Sequence, residues 1–426
     1  MRKLFLHMGA QRTATSSIQS FMHANVDALL DQGVLYPFGV KRHQKQLNAV
    51  FNGGMTGAEL AMTLHKRCGG RDKPVHTTVL SDEGITLHAD LSPLKPLADR
   101  FDLKVIYSLR RQDLWLESWY LQNVKWQWNR ELSHLTFPQF LDRREDFFWV
   151  HYGREIERIE QLVGRDNVHL SVFERDQMPG GPVETFCRMV GISDFAAMTT
   201  PPHINSSHSV LVSELLRTLP LDQASKGLRA QLGKAFAALN ARLEKTPEET
   251  STLLMPLDRR QEILAEYAAG NASVARRYFN RDQLFLDPLP AADTPVGTAA
   301  LPGSGAEMME RIFVPFIEEL IKLQNPAAQA RKKAAGGRKV KGAANAGPRA
   351  NPRAGGMGKA GGMAKPGVAG KPGGMGKPGG MGKPGGAGKP GGAGKPGMGK
   401  PGGAGKPGMG KNPAGAKPVR AKPFAE

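Results

Sequence analysis

The chain has 426 residues and carries 58 Lys and Arg against 39 Asp and Glu, which gives a formal charge of +19. Residues 1–326 hold 37 basic and 38 acidic side chains, so the remaining 21 basic and one acidic side chains place the positive charge in residues 327–426. This composition argues against a membrane-spanning protein, because no apolar run approaches the roughly 18 residues that a span requires. The basic, apolar start of the chain ends at His7, too early for a signal peptide. We therefore expect a cytoplasmic protein, with peripheral attachment at the inner membrane surface as the alternative.

The number and spacing of the cysteines and histidines argue against a disulfide scaffold and a metal site. The two cysteines, Cys68 and Cys187, are too few for a disulfide scaffold, and neither belongs to a CxxC pair. The 11 histidines show no HxxxH or HExxH spacing. The sequence therefore predicts reduced thiols and no metal site.

Four short apolar runs rich in β-branched residues predict buried strands over residues 4–8, 75–81, 103–109 and 168–173. Between the first two runs, apolar residues at helical spacing predict one amphipathic helix over residues 16–31, with Gly33 following as a stop signal. Strands that alternate with helices are typical of an α/β fold of three layers around a central parallel sheet. After Arg175 the pattern becomes mainly helical, and the predicted helices cover residues 183–190, 209–218, 224–243, 259–277 and 307–323.

The last hundred residues have a different composition from the rest of the chain. They hold 31 of the 51 glycines, and Lys-Pro pairs recur every six residues from Lys365 to Lys395. Glycine at every third position would suit a collagen triple helix, but Lys400 breaks that register. We expect residues 327–426 to be a disordered cationic tail that attracts anionic polymers or a membrane surface without specificity, and residues 1–326 to form the folded domain.

The loop after the first strand, HMGAQRTATSS over residues 7–17, begins with glycine and is rich in hydroxyl groups. A strand followed by such a loop and a helix aims backbone N–H groups and the positive end of a helix dipole at one point, which suits a phosphate. The loop does not fit the nucleoside triphosphate motif GxxxxGKS/T, because Ala14 and Thr15 stand where its Gly and Lys belong. An obvious Walker B aspartate is also missing, so the sequence disfavours a kinase or ATPase.

The same loop resembles the 5'-phosphosulfate loop GxxKTGTT/S of sulfotransferases that use 3'-phosphoadenylyl sulfate. The resemblance implies that the donor is held by the positions Gly9, Arg12, Thr13, Ala14, Thr15, Ser16 and Ser17. Two positions depart from the family pattern, since Arg12 replaces Lys and Ala14 replaces Gly. Arg12 keeps the positive charge. We expect the backbone at Ala14 to avoid positive φ, the region that favours glycine.

A second segment, LKVIYSLRRQDLWLESWYLQ, strengthens the resemblance. Sulfotransferases bind the 3'-phosphate of the donor through an Arg at a strand end and a Ser eight residues later, and Arg110 and Ser118 have this spacing. Eight residues is about two helical turns, so both side chains can face one phosphate. The sequence does not decide whether Arg110 or Arg111 would bind the 3'-phosphate. The resemblance covers residues 3–290 and implies a P-loop-like sulfotransferase fold.

Sulfuryl transfer also needs a base for the proton of the acceptor. The strand predicted over residues 75–81 runs directly into Asp82 and Glu83. Related glycan sulfotransferases use a Glu as base, so we select Glu83 by its place after this strand. His43 is the second candidate for a residue of the acceptor pocket, and His7 is expected to be a packed core residue.

The sequence therefore predicts an enzyme that transfers a sulfuryl group from 3'-phosphoadenylyl sulfate to a hydroxyl or amine, with Arg12 supplying positive charge where the phosphate leaves. The acceptor expected from the family is a carbohydrate, a glycolipid or another small molecule. Two alternatives stay open: a catalytically inactive domain that binds polyanions through its tail, and a divergent nucleotide-dependent kinase. Specific nucleic-acid binding is not expected, because the folded part is nearly neutral.

Overall fold

The computed structural model describes residues 1–201, 208–243 and 245–324. The cationic tail predicted over residues 327–426, and with it the predicted domain boundary, lies outside the described residues. A parallel sheet of five strands forms the centre, in the order β2-β3-β1-β4-β5. The strands are β1 (Arg2–Gly9), β2 (Val34–Leu35), β3 (Thr77–Ser81), β4 (Phe101–Leu109) and β5 (Val168–Val172).

The sheet is covered on both faces, as expected for parallel strands. Along β1, Leu4 and Leu6 point into one apolar core while Phe5 points into the other, in the alternation that a strand imposes. The core behind Phe5 is closed by Ile18 and Phe186 from two helices. The prediction of a three-layer α/β fold is therefore confirmed.

The helices that follow the strands lie in the first half of the chain and flank the sheet. They are α1 (Thr15–Ala24), α2 (Val26–Asp31), α3 (Gln44–Phe51), α4 (Gly57–Gly69), α5 (Gln112–Trp126), α6 (Arg130–Ser133), α7 (Phe137–Asp142), α8 (Tyr152–Val163) and α9 (Gly181–Val190). The later part of the chain is mainly helical, as predicted. It contains α10 (Val210–Thr218), α11 (Lys226–Arg242), α12 (Pro247–Thr250), α13 (Leu257–Phe279), α14 (Gly305–Met308), a π-helical turn at Met309–Phe313 and α15 (Val314–Gln324).

The single helix predicted over residues 16–31 is instead two helices, α1 and α2, separated at Asn25. The Asn25 amide donates to the carbonyl oxygens of Phe21 and Thr199 and accepts from the backbone N–H of Thr199. Asparagine competes with the helix for backbone partners in this way, and here it also ties α1 to a distant segment. The apolar spacing continues across the break, so periodicity alone indicated one helix. In the described part of the chain, no helix is long and apolar enough to cross a membrane.

Candidate functional site

The carboxyl ends of the parallel strands meet at one edge of the sheet, and the residues of the candidate site follow those ends. β1 runs into the loop that contains Arg12, β3 runs into Asp82 and Glu83, and β4 runs into Arg110. β1 lies between β3 and β4, so its loop is flanked by the ends of both neighbours. This topology brings the two motifs of the sequence together.

The loop after β1 is held by its own side chains and by two neighbouring segments. Thr13, which is fully buried, donates its hydroxyl to the carbonyl oxygen of Ala10 at 2.6 Å. The indole of Trp115 donates to the carbonyl oxygen of Gln11 at 2.8 Å, and the Gln11 amide donates to the carbonyl oxygen of Glu83 at 3.0 Å. The Thr13 hydroxyl, predicted as a donor to the ligand, therefore braces the loop in this structure.

Ala14 contradicts the expectation that the backbone there avoids positive φ. It has φ 62° and ψ 20°, the left-handed conformation, and it caps the N-terminus of α1. Arg12 also has a positive φ, of 67°. This conformation costs a residue with a Cβ roughly 1 to 2 kcal/mol, whereas glycine adopts it without that cost. Glycine therefore suits the equivalent position in the GxxKTGTT/S loop. The braced loop imposes the left-handed turn although the residue is alanine.

Three more predicted residues lie in the first turn of α1, where the backbone N–H groups lack helical partners. The backbone N–H of Ser17 donates to the carbonyl oxygen of Ala14 at 3.0 Å. Thr15 is buried, Ser16 is exposed and Ser17 is partly exposed. Ser16 is therefore the most exposed of the three.

Arg12, Arg110 and Ser118 come together although they are far apart in the chain. The Arg12 guanidinium donates through Nε to the Ser118 hydroxyl at 2.7 Å and through Nη1 to the Gln122 side-chain oxygen. The Arg110 guanidinium donates through Nη1 to the backbone carbonyl oxygen of Arg12 at 2.7 Å. The phosphosulfate-type loop and the Arg-to-Ser motif thus form one cluster.

Neither guanidinium group of this cluster forms a direct ion pair with a described carboxylate, although the charges of Glu117 and Asp113 act on Arg110 from further away. Among the described residues, no carboxylate lies within 4.0 Å of the Arg12 or Arg110 nitrogens, although many other arginines of the domain form such pairs. Burial lowers the pKa of Arg12. Burial, and then the charge of Arg12, lower the pKa of Arg110 to about 10. Two partly buried, adjacent cations favour binding of an anion at this point.

Arg110 is oriented by two aromatic residues. Tyr152, which is buried, accepts from the Arg110 backbone N–H at 3.0 Å and donates its hydroxyl to the Arg110 carbonyl oxygen at 2.6 Å. The Arg110 guanidinium carbon lies 5.6 Å from the centre of the Phe173 ring, at the end of β5. Both contacts fix the end of β4 and hold the guanidinium toward the loop.

Arg111 has different partners and points away from this cluster. Its guanidinium forms a buried ion pair with Asp113 at 2.9 Å and donates to the carbonyl oxygens of Asp287 and Pro288. The two arginines that the sequence left undecided are thus distinguished by their contacts. Arg110 faces the loop after β1, whereas Arg111 joins the end of β4 to the segment that follows α13.

Glu83 lies directly against the start of the loop. Gly9 has φ 108°, which favours glycine, and a Cβ placed there would be 3.1 Å from the Glu83 Cβ, so any other residue would also push Glu83 away. The Glu83 carboxylate accepts from the Gln19 amide of α1 at 2.7 Å, and its other oxygen lies 3.6 Å from Nη1 of Arg42. The carboxylate side chain is 15% exposed, so it is held in place and still reaches solvent.

Asp82 stands beside Glu83 but is fully buried. One carboxylate oxygen accepts from Nε of Arg42 at 2.5 Å and from the Gly84 N–H, while the other oxygen has no hydrogen-bond partner in the described structure. Burial raises the pKa of Asp82 to about 6. β3, the strand before Asp82, is adjacent to β1. The ion pair of Asp82 with Arg42 sets it apart from a free carboxylate, and the described residues contain no group of three metal-binding side chains.

His43 does not offer a nitrogen to an acceptor in this structure, contrary to the prediction. It is fully buried, its Nε2 donates to the carbonyl oxygen of Pro37 at 3.0 Å, and its Nδ1 accepts from the backbone N–H of Ser81 at 2.9 Å. Burial lowers the pKa of His43 to about 4. His43 therefore serves as a neutral brace between the segment at Pro37 and the end of β3. His7 is packed in the core, as expected, with Nδ1 2.8 Å from the Ser81 hydroxyl, and burial lowers its pKa to about 3.

Four residues of the site were missed by the sequence reading: Gln19, Arg42, Gln122 and Tyr152. Gln122 follows Ser118 by four residues, so a search along the same helix face would have found it. Gln19 follows Ser16 by three residues on α1 in the same way. Arg42 and Tyr152 have no local signal, because the sheet order alone brings them to this edge.

No protein-family model matches the chain. It is 26% identical over 186 residues to an uncharacterized protein of Archaeoglobus fulgidus, an alignment that covers 43% of this chain and 48% of that protein. The chain therefore spans about half the length of this relative. Among solved structures, a sulfotransferase from Alicyclobacillus acidocaldarius aligns over 54% of this chain and 99% of its own, with 17% identity and a TM-score of 0.31. A likeness this distant assigns neither a family nor an activity.

Proposed function

We propose that the chain is a sulfotransferase that moves a sulfuryl group from 3'-phosphoadenylyl sulfate to a hydroxyl or amine acceptor, with a carbohydrate or glycolipid as the acceptor class. One observation carries the proposal: Arg12, Arg110 and Ser118 meet at the carboxyl edge of the sheet, and no described carboxylate forms an ion pair with either guanidinium group. The donor has two phosphate positions, and the cluster offers two cations and a hydroxyl.

The residues present fit an anion with several oxygens. The Ser118 hydroxyl accepts from Arg12 and keeps its own hydrogen to donate to a phosphate oxygen. The Arg110 guanidinium uses Nη1 on the Arg12 carbonyl, and its remaining N–H groups are suited to a phosphate. The first turn of α1 adds backbone N–H groups and the positive end of the helix dipole. Arg110 and Ser118 are assigned to the 3'-phosphate, and Arg12 with the α1 terminus to the phosphosulfate.

The bound donor supplies a sulfuryl group on a phosphate leaving group. Glu83 accepts the proton of the acceptor as the acceptor oxygen or nitrogen bonds to sulfur and the bond from sulfur to the phosphate oxygen breaks. The electron pair of the broken bond stays on the phosphate, where Arg12 stabilises the added charge. Gln19 and Arg42 hold the Glu83 carboxylate beside Gly9. His43 is left out of this mechanism because the backbone occupies both of its nitrogens.

Calorimetric titration of the full chain with adenosine 3',5'-bisphosphate tests the donor site, with ADP as the ligand that lacks a 3'-phosphate. We expect binding of the bisphosphate without Mg²⁺, weaker binding of ADP, and a loss of about tenfold or more in Arg110→Ala. Arg154→Ala, which removes an exposed arginine from α8, is the matched control. Binding that Arg110→Ala leaves unchanged would favour the inactive, polyanion-binding alternative. Binding of ATP only in the presence of Mg²⁺ would favour the kinase, for which Asp82 stands in a suitable place.

Glu83→Gln separates catalysis from donor binding. We expect the variant to keep its affinity for the bisphosphate and to lose about 10² to 10⁴ in the rate of sulfuryl transfer, because only the proton acceptor is removed. Transfer is followed with isotope-labelled donor and a mixture of glycan acceptors. A variant with undiminished turnover would remove Glu83 from the mechanism while leaving the donor site in place.

A further inference from the structure

The helical stretch at the end of the described chain carries a concentration of exposed apolar side chains. It comprises α14, the π-helical turn and α15, over residues 305–324. Twelve large apolar side chains are exposed among the described residues, and six of them lie within residues 309–323. Four of these six, between 39% and 56% exposed, recur at helical spacing and form one apolar stripe: Phe313, Val314, Ile317 and Ile321. A contiguous exposed apolar surface marks an interaction site.

The other side of this helical stretch packs on the domain. Ile312 is buried, and the Phe316 ring stacks on Phe236 of α11 with 4.4 Å between the ring centres. Arg242 of α11 forms an ion pair with Glu318 of α15. The helix is therefore anchored with the apolar stripe exposed, and binding of a partner would require little further ordering.

The charge of the helical stretch itself does not attract an anionic surface. Residues 305–324 contain four glutamates against two cations, and three of the glutamates form ion pairs in the described structure. Residues 327–426, which follow in the sequence, hold 21 basic and one acidic side chains, a net charge of +20. The first of these cations, Arg331, comes seven residues after Gln324, which is at most about 25 Å of chain. A surface that contacts the apolar stripe is therefore within reach of a strongly cationic segment.

We propose that the apolar stripe docks on an anionic lipid bilayer, to which residues 327–426 are attracted by their charge. Such a bilayer offers negative charge at its surface and an apolar layer that a helix enters by about 5 to 10 Å. Stable attachment to a membrane takes two signals, and the stripe and the cationic segment are two. Lys234 of α11 adds a cation beside α15, where it lines a groove together with Leu320 and Leu323. None of these residues belongs to the candidate site, so the inference goes beyond the proposed function.

Three other occupants fit these features less well. A nucleic acid would attract the cationic segment but has no apolar layer in which the stripe could be buried. A second copy of the chain would cover the stripe, but it would bring two segments of net charge +20 together. An apolar groove on an acidic protein would have to admit α15, and the packing of α15 along α11 suits a flat surface better.

The test is sedimentation of the full chain with vesicles of phosphatidylcholine, alone or with about a quarter of phosphatidylserine, at about 0.15 M NaCl. We expect at least about tenfold tighter binding to the anionic vesicles than to the neutral ones. Ile317→Gln/Ile321→Gln should lose about tenfold or more in affinity for the anionic vesicles, because two apolar side chains no longer enter the bilayer. Met62→Gln/Leu286→Gln, which changes two exposed apolar residues elsewhere in the chain, is the matched control and should bind like the wild type.

A fluorophore on the stripe separates insertion from attraction by charge. Cys68 and Cys187 are buried, so Ile321→Cys directs an environment-sensitive dye to the stripe. We expect a blue shift of the emission with anionic vesicles. Poly(dT), which offers negative charge without an apolar layer, should cause no such shift.

Four outcomes overturn the proposal: no binding of the wild type to anionic vesicles, undiminished binding of Ile317→Gln/Ile321→Gln, no blue shift on vesicles, or a wild-type dimer that this variant converts to a monomer in light scattering. The last outcome would assign the stripe to a second copy of the chain. None of these measurements uses the donor site. Failed vesicle binding therefore leaves the proposed function standing, and failed bisphosphate binding leaves the membrane surface standing.

Discussion

The Arg110 guanidinium donates a hydrogen bond to the backbone carbonyl oxygen of Arg12 at 2.7 Å. The residue at the end of β4 thereby stabilises the loop after β1, in which both Arg12 and Ala14 have positive φ. One side chain thus braces the loop and contributes charge to the candidate anion site. The neighbouring Arg111 is held elsewhere by Asp113, so of these two arginines it is Arg110 that contacts the loop after β1.

The left-handed conformation of Ala14 predicts that glycine is better at this position. We expect Ala14→Gly to raise the free energy of unfolding by about 0.5 to 1 kcal/mol, because relief of the Cβ strain exceeds the added entropy of the unfolded glycine. Urea denaturation measures the change. Ala265→Gly makes the same substitution at an exposed position inside α13 and should lower stability by about 0.5 to 1 kcal/mol. Equal effects of the two substitutions would contradict the conformational explanation.

Burial of neutral His43 predicts a loss of stability in acid. Its pKa is about 4 in the folded chain against an ordinary value of 6.5, so the folded state binds the proton less well. The stabilising contribution is present above pH 6.5 and is lost as the pH falls toward 4. The wild type loses unfolding free energy as the pH falls through this window. We expect His43→Gln to lose less, by about 3 kcal/mol over the whole range. His7 keeps part of the slope, and His65→Gln on the exposed face of α4 is the comparison.

The buried ion pairs of Arg260 with two carboxylates of α5 predict a large effect on stability. Arg260 is 1% exposed and pairs with Asp113 and with Glu117, at 2.7 Å for the latter. Arg260→Met should lower the free energy of unfolding by about 3 to 5 kcal/mol, because two buried carboxylates lose their shared cation.

The adjacent Arg259 supplies the control for that substitution. It pairs with Glu262 at the surface, where Arg259→Met should change stability by about 0.5 kcal/mol or less. Burial raises the pKa of Glu117, so protonation removes one unpaired charge and the deficit of Arg260→Met should shrink as the pH falls. A deficit that stays constant from neutral to acid pH would show that lost packing, not charge, is responsible.

The positive charge of residues 327–426 predicts that the chain binds polyanions with an affinity that depends steeply on salt. Replacing the six lysines of its Lys-Pro repeat by glutamine, at positions 365, 371, 377, 383, 389 and 395, should weaken binding of the full chain to poly(dT). If all six contact phosphates, the slope of log affinity against log salt becomes shallower by about 4, at about 0.7 per contact. Fluorescence anisotropy across a salt series gives the slope. An unchanged slope would show that these six lysines make no phosphate contacts.

The sequence predicted the fold well because the buried strands are continuous apolar runs. The runs at residues 4–8 and 103–109 became β1 and β4 with boundaries within about two residues. β2, with two residues, is too short to produce such a signal. The helix break at Asn25 was missed because it depends on Thr199, which is distant in the chain.

The candidate site was predictable where spacing determines position. The resemblance to the sulfotransferase spacing implied that Arg110 and Ser118 act together, and the place of Gly9 after a strand implied its position at the start of the loop. The conformation of Ala14 and the neutral, fully bonded state of His43 were not predictable, because both are imposed by groups brought in by the sheet. Which of Arg110 and Arg111 faces the loop after β1 was not predictable either. Arg111 is held away from the loop by Asp113, which is near in the sequence, and by Asp287 and Pro288, which are distant.

The strand order has an evolutionary consequence. The order reverses at β1, a topological switch point, so β3 supplies Glu83 on one side of the crevice and β4 supplies Arg110 on the other. The two sides come from consecutive, separate stretches of chain. Substitutions or insertions between α1 and β3, after the loop that carries Arg12, can therefore reshape the side with Glu83 while the arginine cluster stays intact, and homologues that share the cluster are expected to diverge first in that stretch.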